Sequence, residues 1–459
     1  MFQADILNAM FKAYDIRGTY PDQINAEFAF EFGKAFVKVL NVKSVAVGRD
    51  MRISSDELFE ALSRGIMSQG ADVIELGRVS TDMLYFACGK YGYEAGIMIT
   101  ASHNPKQWNG MKACLKNAEP LSLDNGMSEM RDLMLRGEIE EGTEQGTKKF
   151  HEVMDDWITH VLSFADTKNI KPMKIVVDAG NGMAGRMVEK LFEKLPQLEL
   201  VPLYFEEDGT FPNHPASPLE EENLVDIKGK MEQEEADLGM AFDGDADRVF
   251  LIDDNYETLT GTLMTAMVAK SLLQKDPNQT ILYNAICGRI VPETITNMGG
   301  TAKRVRVGHS LIKQDMKAYK ASFAGEHSGH YYFSNNWNAD SGLIAAVIML
   351  DLIGQEGKKL HDLRKKFETY KASGEINFKV ENIPAALERI KSEFADLEQN
   401  DLDGLTLNWP ASHSSDRSVD WWANIRASNT EPLLRLNVEA KTDELLKEKT
   451  QKLTDIIQG

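Results

Sequence analysis

The stretch "SVAVGRDMRISSDELFEALSRGIMSQGADVIELG", residues 44–77, sets a short β-branched run, a longer amphipathic segment and a second short run one after another. The short runs "SVAVGRD" (44–50) and "DVIELG" (72–77) end in Gly or Asp, as strands do where they give way to a turn. The alternation continues outward. "AGIMIT" (95–100) extends the first unit, and "KIVVDAGNG" (174–182), "LELVPLYF" (198–205) and "ADLGMAFDGDADR" (236–248) supply a second. "TILYNAI" (280–286) and "ASFAGEHSGH" (321–330) belong to a third. The fold class is therefore α/β and doubly wound, with ligands expected beyond the carboxyl ends of strands. After about residue 370 the order changes to strand "EINFKV", helix "PAALERIKSEFADLE", strands "LTLNW", "WWANIR" and "LLRLNVEA", and a last helix from Thr442. That is a smaller α+β unit. The polar stretch "RGEIEEGTEQGTKK" (136–149) reads as a boundary or an exposed excursion.

A chain of 459 residues exceeds what one hydrophobic core supports, so several domains are expected. With 51 Lys+Arg against 71 Asp+Glu the net charge is −20, and no basic run tracks a phosphodiester backbone, which argues against a nucleic-acid partner. The N-terminus carries Asp5 and lacks the basic-then-apolar order of a secretory signal. The longest apolar run, "LIAAVIML" (343–350), is too short to span a bilayer, so no membrane partner is expected. Cys88, Cys114 and Cys287 are odd in number and form no CxxC, which suggests reduced core thiols in a cytoplasmic enzyme.

Chemistry concentrates in a few loops. In "FDGDADR", Asp243, Asp245 and Asp247 fall at i, i+2 and i+4 just past a strand, where three carboxylates converge on one hard cation such as Mg²⁺. An EF-hand would need Gly and Glu where Arg248 and Asp254 stand. "TASHNP" (100–105) places Ser102 beside His103, but no G-x-S-x-G elbow surrounds it and adjacent side chains normally diverge, so the hydrolase reading is the weaker one. Next to a metal, a serine that carries a phosphoryl group is the better account. "RASNTEP" (426–432) offers the fork of Arg426, the hydroxyls of Ser428 and Thr430 and the amide of Asn429, a set suited to a phosphate dianion. "GEHSGH" (325–330) has two glycines for close approach, with Glu326, Ser328 and His330 able to bind vicinal hydroxyls.

In this order the loops resemble those of the α-D-phosphohexomutase superfamily, and most closely its bacterial phosphomannomutase/phosphoglucomutase branch. "YDIRG" (14–18), "TASHNP", "VDAGNGMAG" (177–185), "FPNHP" (211–215), "DGDADR", "VGHSLIK" (307–313), "GEHSGH" and "RASNTEP" carry the resemblance over nearly the whole chain. It implies three related mixed α/β domains and a smaller C-terminal α+β domain around a central cleft. On this chain these are 1–150 with the phosphoserine loop, 151–254 with the metal, 255–370 for sugar recognition and 371–459 for phosphate binding.

The resemblance further implies that Ser102 is phosphorylated in the resting enzyme. The group then passes to a hexose 1- or 6-phosphate, giving a hexose 1,6-bisphosphate that turns around before the opposite phosphate returns to Ser102. One Mg²⁺ per chain would sit on Asp243, Asp245 and Asp247 with Ser102 as a further ligand, aided by Arg17, Lys112 and Arg248. His103, Lys112 and His330 are the candidates for acid and base. Tyr14 and His309 would touch substrate with Glu326, Ser328, Arg426, Ser428, Asn429 and Thr430. Ile286 stands where relatives often place a basic residue, so that contact either falls to Arg289 or is missing. The Ser-Asn pair of "RASNTEP", and His327 followed by "YYF", favour mannose phosphates. Glucose and glucosamine phosphates are the alternatives, and a metal-dependent sugar phosphatase is the non-mutase one. A monomer or weak dimer is expected.

Overall fold

The computed structural model describes residues 2–137, 139–140, 142–408, 420–427 and 433–459. Among them are four sheets in chain order. The first three share one plan. A first strand (Ser44–Arg49, Met173–Asp178, Thr280–Asn284) lies between two parallel neighbours: Asp72–Arg78 and Ala95–Ile99, then Leu198–Leu203 and Leu238–Phe242, then Thr301–Val305 and Phe323–Gly325. A fourth strand (Trp108–Leu115, Val249–Ile252, Tyr331–Phe333) pairs antiparallel with the third in every case. The loops joining third to fourth strand are "TASHNP", "DGDADR" and "EHSGH". Three topologically equivalent turns thus supply three of the four candidate loops.

Sequence patterning gave the central strands but not the antiparallel additions. Asp15–Thr19, which carries Arg17, pairs with Trp108–Leu115 in a register that sets Asp15 opposite Lys112. The polar stretch near residue 140 ends as an edge strand: Lys148–Phe150 runs parallel to Asp72–Arg78, and Thr147 donates to Asp72 Oδ1 through N (2.7 Å) and Oγ1 (2.7 Å). Its lysines hid it, because charged residues are what an exposed edge strand tolerates.

The apolar run 343–350 lies inside the buried helix Gly342–Glu356, which is apolar on every side, as a core helix is. Ser341 caps it by accepting from Ile344 N (3.2 Å). Among the described residues no helix is long and apolar enough to cross a membrane. All three cysteines are buried and free. One continuous core joins one face of the first sheet to the second and third units. The C-terminal sheet is antiparallel throughout (Lys371–Lys379, Leu433–Ala440, Trp421–Ala427, Leu405–Leu407, Gln399–Asn400) and has a core of its own.

Candidate active site

Ser102 sits at φ +51°, a left-handed conformation uncommon outside glycine, and is almost wholly buried. Its N–H donates to Thr100 Oγ1 (2.9 Å) and its Oγ donates to Asp243 Oδ2 (3.0 Å). The hydroxyl therefore faces the metal loop rather than a catalytic base. His103 Nδ1 is 3.3 Å from the same Oγ, but it also meets Arg248 Nη2. Arginine has only donors, so Nδ1 accepts there and the imidazole is neutral. The charge of Arg248, with burial, holds His103 well below the usual histidine range.

Asp243, Asp245 and Asp247 are fully buried, and their ligand oxygens lie within 4.8 Å of one another. Arg248 donates to Asp243 Oδ2 through Nε (2.8 Å), and Lys112 Nζ bridges Asp245 Oδ2 (2.8 Å) and Asp247 Oδ2 (2.7 Å). Thr81 adds its hydroxyl to Asp245. Asp245 Oδ1 and Asp247 Oδ1 have no hydrogen-bond partner at all. Two buried carboxylate oxygens without a hydrogen bond are costly unless a cation meets them, so the donor set fits a hard divalent ion. Burial alone would lower the Lys112 ammonium's pKa, yet Asp245 and Asp247 override this and raise it, which makes Lys112 a charge neutraliser or proton donor rather than a base.

Across a cleft of about 350 Å³ the third unit presents Glu326, Ser328, His330 and His309 to Tyr14, Arg17, Lys112, Ser102, His103 and Arg248. Glu326 accepts from Tyr332 Oη (2.6 Å) and Asn284 Nδ2 (3.3 Å). Ser328 Oγ meets His330 Nδ1 (3.0 Å), and burial keeps His330 well below its ordinary pKa. His309 Nε2 donates to Asp340 Oδ1 (2.9 Å). Arg17 pairs with Asp15 (2.9 Å) and donates to the carbonyl of Ala101 and the side chain of Asn104, so it braces the serine loop.

Two expected residues lie outside this cleft's lining. Arg289 does not line this cleft. Its guanidinium donates to the carbonyls of Asn408 (2.8 Å) and Trp421 (3.0 Å) and pairs with Asp420, which ties the third unit to the C-terminal one. Nor does Arg426 reach the cleft wall; it pairs with Glu375 (3.3 Å) and is buried. Arg435, directly opposite it in the antiparallel ladder, takes the other oxygen of Glu375 (3.2 Å) and lines the cleft. Ser428, Asn429 and Thr430 lie outside the described residues. Sequence reasoning missed Arg435 and also Lys313, whose buried ammonium lines the cleft 3.7 Å from the Tyr85 ring centroid. The signal for Arg435 was its alternation with Leu434 and Leu436, which puts it on the face opposite the core.

Four family profiles match in register: phosphoglucomutase/phosphomannomutase α/β/α domain I over 8–138, domain II over 155–257, domain III over 260–370, and the C-terminal domain over 375–456. The chain belongs to the phosphoglucomutase/phosphomannomutase family. It is 36% identical over 453 residues to a phosphohexose mutase of Xanthomonas campestris pv. campestris, covering 98% of this chain and 99% of that one. It is likewise 36% identical over 457 residues to a phosphomannomutase of Methanocaldococcus jannaschii, covering 98% and 97%. Among solved structures, a phosphoglucomutase/phosphomannomutase family protein of Burkholderia thailandensis superimposes with a TM-score of 0.88 at 29% identity, covering 100% of this chain and 98% of that one. The family member described here is thus a phosphohexomutase, an intramolecular phosphotransferase of the isomerase class.

Proposed function

We propose that the protein is a phosphomannomutase that interconverts mannose 6-phosphate and mannose 1-phosphate and also accepts glucose phosphates. The reading rests on one observation above the rest: the hydroxyl of Ser102, held in a strained loop, donates to a carboxylate of a buried aspartate triad. Relatives named phosphomannomutase at 33–36% identity along the whole chain support mannose as the sugar.

In this proposal Ser102 carries the phosphoryl group and gives it to the free hydroxyl of the substrate, and a hexose 1,6-bisphosphate turns around before the second transfer. Asp243, Asp245, Asp247 and the Ser102 group would hold Mg²⁺, which when bound would supply Lewis-acid stabilisation of the transferring phosphoryl oxygens. The chain's own residues do the remainder. Lys112, Arg17 and Arg248 neutralise charge around Ser102, which is most of what a loose phosphoryl-transfer transition state asks of a protein. His330 and His103, neutral in this setting, are the proton carriers. Glu326 and Ser328 hold the sugar's 3- and 4-hydroxyls, which lie near the turning axis and present alike in both orientations. Tyr14 and His309 flank them. Arg435, which lines the cleft, and Arg426, opposite it in the ladder and paired to the same Glu375, hold the idle phosphate with the charged fork that suits a dianion. Ser428, Asn429 and Thr430 complete this grip.

We assign the phosphoserine loop to 1–150, the metal to 151–254, sugar recognition to 255–370 and phosphate binding to 371–459, in a cytoplasmic monomer or weak dimer. The test has two parts. Intact-protein and peptide mass spectrometry should find one phosphoryl group on the peptide carrying Ser102. kcat/KM should be compared for mannose, glucose and glucosamine 1-phosphates. Preference for the amino sugar by more than about tenfold, roughly 1.4 kcal/mol, would overturn the substrate assignment while leaving the chemistry in place.

A further inference from the structure

We propose that Arg52, which lies outside the cleft lining, is the positioning residue of the phosphoryl-carrying loop: its buried guanidinium clamps the main chain of residues 102–108 so that Ser102 Oγ faces the metal triad. The inference rests on Ser102 as the phosphoryl carrier. Arg52 side-chain exposure is 0%, and its two terminal nitrogens donate to four carbonyls of one loop: Ser102 (2.8 Å), Asn104 (2.6 Å), Pro105 (2.9 Å) and Trp108 (2.9 Å). Asp50, equally buried, lies 3.3 Å from Nε and fixes the fork from behind. It also accepts from Arg52 N (3.0 Å) and Ser55 Oγ (2.6 Å).

Three consequences follow. First, a left-handed serine is costly and persists only where its surroundings over-determine it, and four carbonyls on one rigid planar group do so. Second, turning those carbonyl oxygens inward onto a cation keeps their negative ends away from the hydroxyl that must carry a dianion. Third, the clamp is tied to the metal-bearing unit. The ring of Phe211 lies 5.1 Å from the Arg52 guanidinium carbon, and an added Cβ at Gly209 would come within 2.6 Å of Arg52 Cα, so that segment packs directly on it. Arg52 thereby sets the distance between serine loop and carboxylates without touching substrate. A lysine has one point of charge and cannot serve four carbonyls at once.

The experiment compares the parent with Arg52→Lys and Asp50→Asn. Mass spectrometry first scores phosphoryl occupancy at Ser102. Single-turnover transfer, steady-state KM and hydrogen exchange over residues 100–108 are then measured. Arg52→Lys should lower kcat by about 100-fold, the usual cost of misplacing a reacting group by about an ångström. KM for the hexose phosphate should stay within about threefold, and faster exchange should be confined to the loop. Asp50→Asn, nearly isosteric, should show the same pattern at about a tenth of the size, and decides the matter if Arg52→Lys does not fold. A phosphorylated parent whose variants keep kcat within about twofold, or lose KM and kcat together, would overturn the clamp alone. A parent without a phosphoryl group on Ser102 would overturn the phosphoserine reading and the clamp with it.

Discussion

Asp245 divides its two oxygens between opposite conditions: Oδ2 is held by Thr81 and Lys112, while Oδ1, fully buried, has no hydrogen-bond partner among the described residues. Its amide analogue keeps the shape but replaces an anionic ligand with a neutral one. Asp245→Asn should therefore weaken Mg²⁺ binding, read by titration calorimetry, and lower kcat by at least about 100-fold, because the metal contributes several kcal/mol of charge stabilisation. Undiminished Mg²⁺ activation would place the ion elsewhere. Gly244, in the same loop, shows how tight the meeting of the two loops is. A Cβ added there would stand 2.6 Å from the carbonyl oxygen of Ser102, a backbone atom that cannot swing aside. Gly244→Ala should cost about 1–3 kcal/mol of stability, as overpacking does, and should reduce kcat more than KM. Denaturant titration and steady-state kinetics check the two halves, and an alanine variant with parental kcat would mean that loop spacing does not govern transfer.

At the scale of elements, the candidate loops around Ser102, Asp243–Asp247 and Glu326–His330 were legible because each packs its polar side chains into six or fewer consecutive residues at the end of an apolar strand. The strands that bring them together were not. Trp108–Leu115 and Asp15–Thr19 mix glycine, lysine and arginine into their runs, since Arg17 and Lys112 are aimed at the site and Gly110 lets Ile16 and Thr100 approach. Function there overrides the period-2 pattern that strand recognition depends on. Arg52 was equally hidden, because a clamp that bonds only carbonyls leaves no pattern in the residues it holds. One tie between elements is testable by pH. His214 of "FPNHP" donates to Asp178 of "VDAGNG" (2.9 Å). Burial alone would lower its pKa, but the hydrogen bond and charge of Asp178 raise it above the ordinary value. The folded chain thus holds this proton more tightly than the unfolded one, so the stabilisation is full below about pH 6.5 and is lost as pH rises through the higher folded value. His214→Gln should cost more stability at about pH 5.5 than at about pH 9. Equal losses at both would show that the imidazolium plays no part.

On the scale of the whole molecule, the cores set what can move. The first three units share buried apolar surface, whereas the C-terminal unit has a core of its own, joins the shared one through Trp422, and meets the third unit through a series of polar contacts. Besides the Arg289 latch, these include Val307 N to Asp403 (2.7 Å), Arg304 to Thr406 (3.1 Å) and Arg289 N to Glu439 (2.9 Å), beside a seam cavity of about 340 Å³. A seam of hydrogen bonds around one apolar anchor can hinge at less cost than a broad shared core. The proposed reaction needs such freedom, since a bisphosphate must turn around without leaving, and Arg426 and Arg435 lie on the unit free to swing. Binding of a non-transferable hexose bisphosphate analogue should therefore draw the C-terminal unit inward, seen as a smaller radius of gyration in solution scattering. Arg289→Met, which removes the latch but leaves the cleft lining intact, should widen the spread of conformations without ligand and raise KM more than it lowers kcat. Identical scattering profiles with and without the analogue would count against closure and leave the turn of the intermediate to loop motions within the cleft.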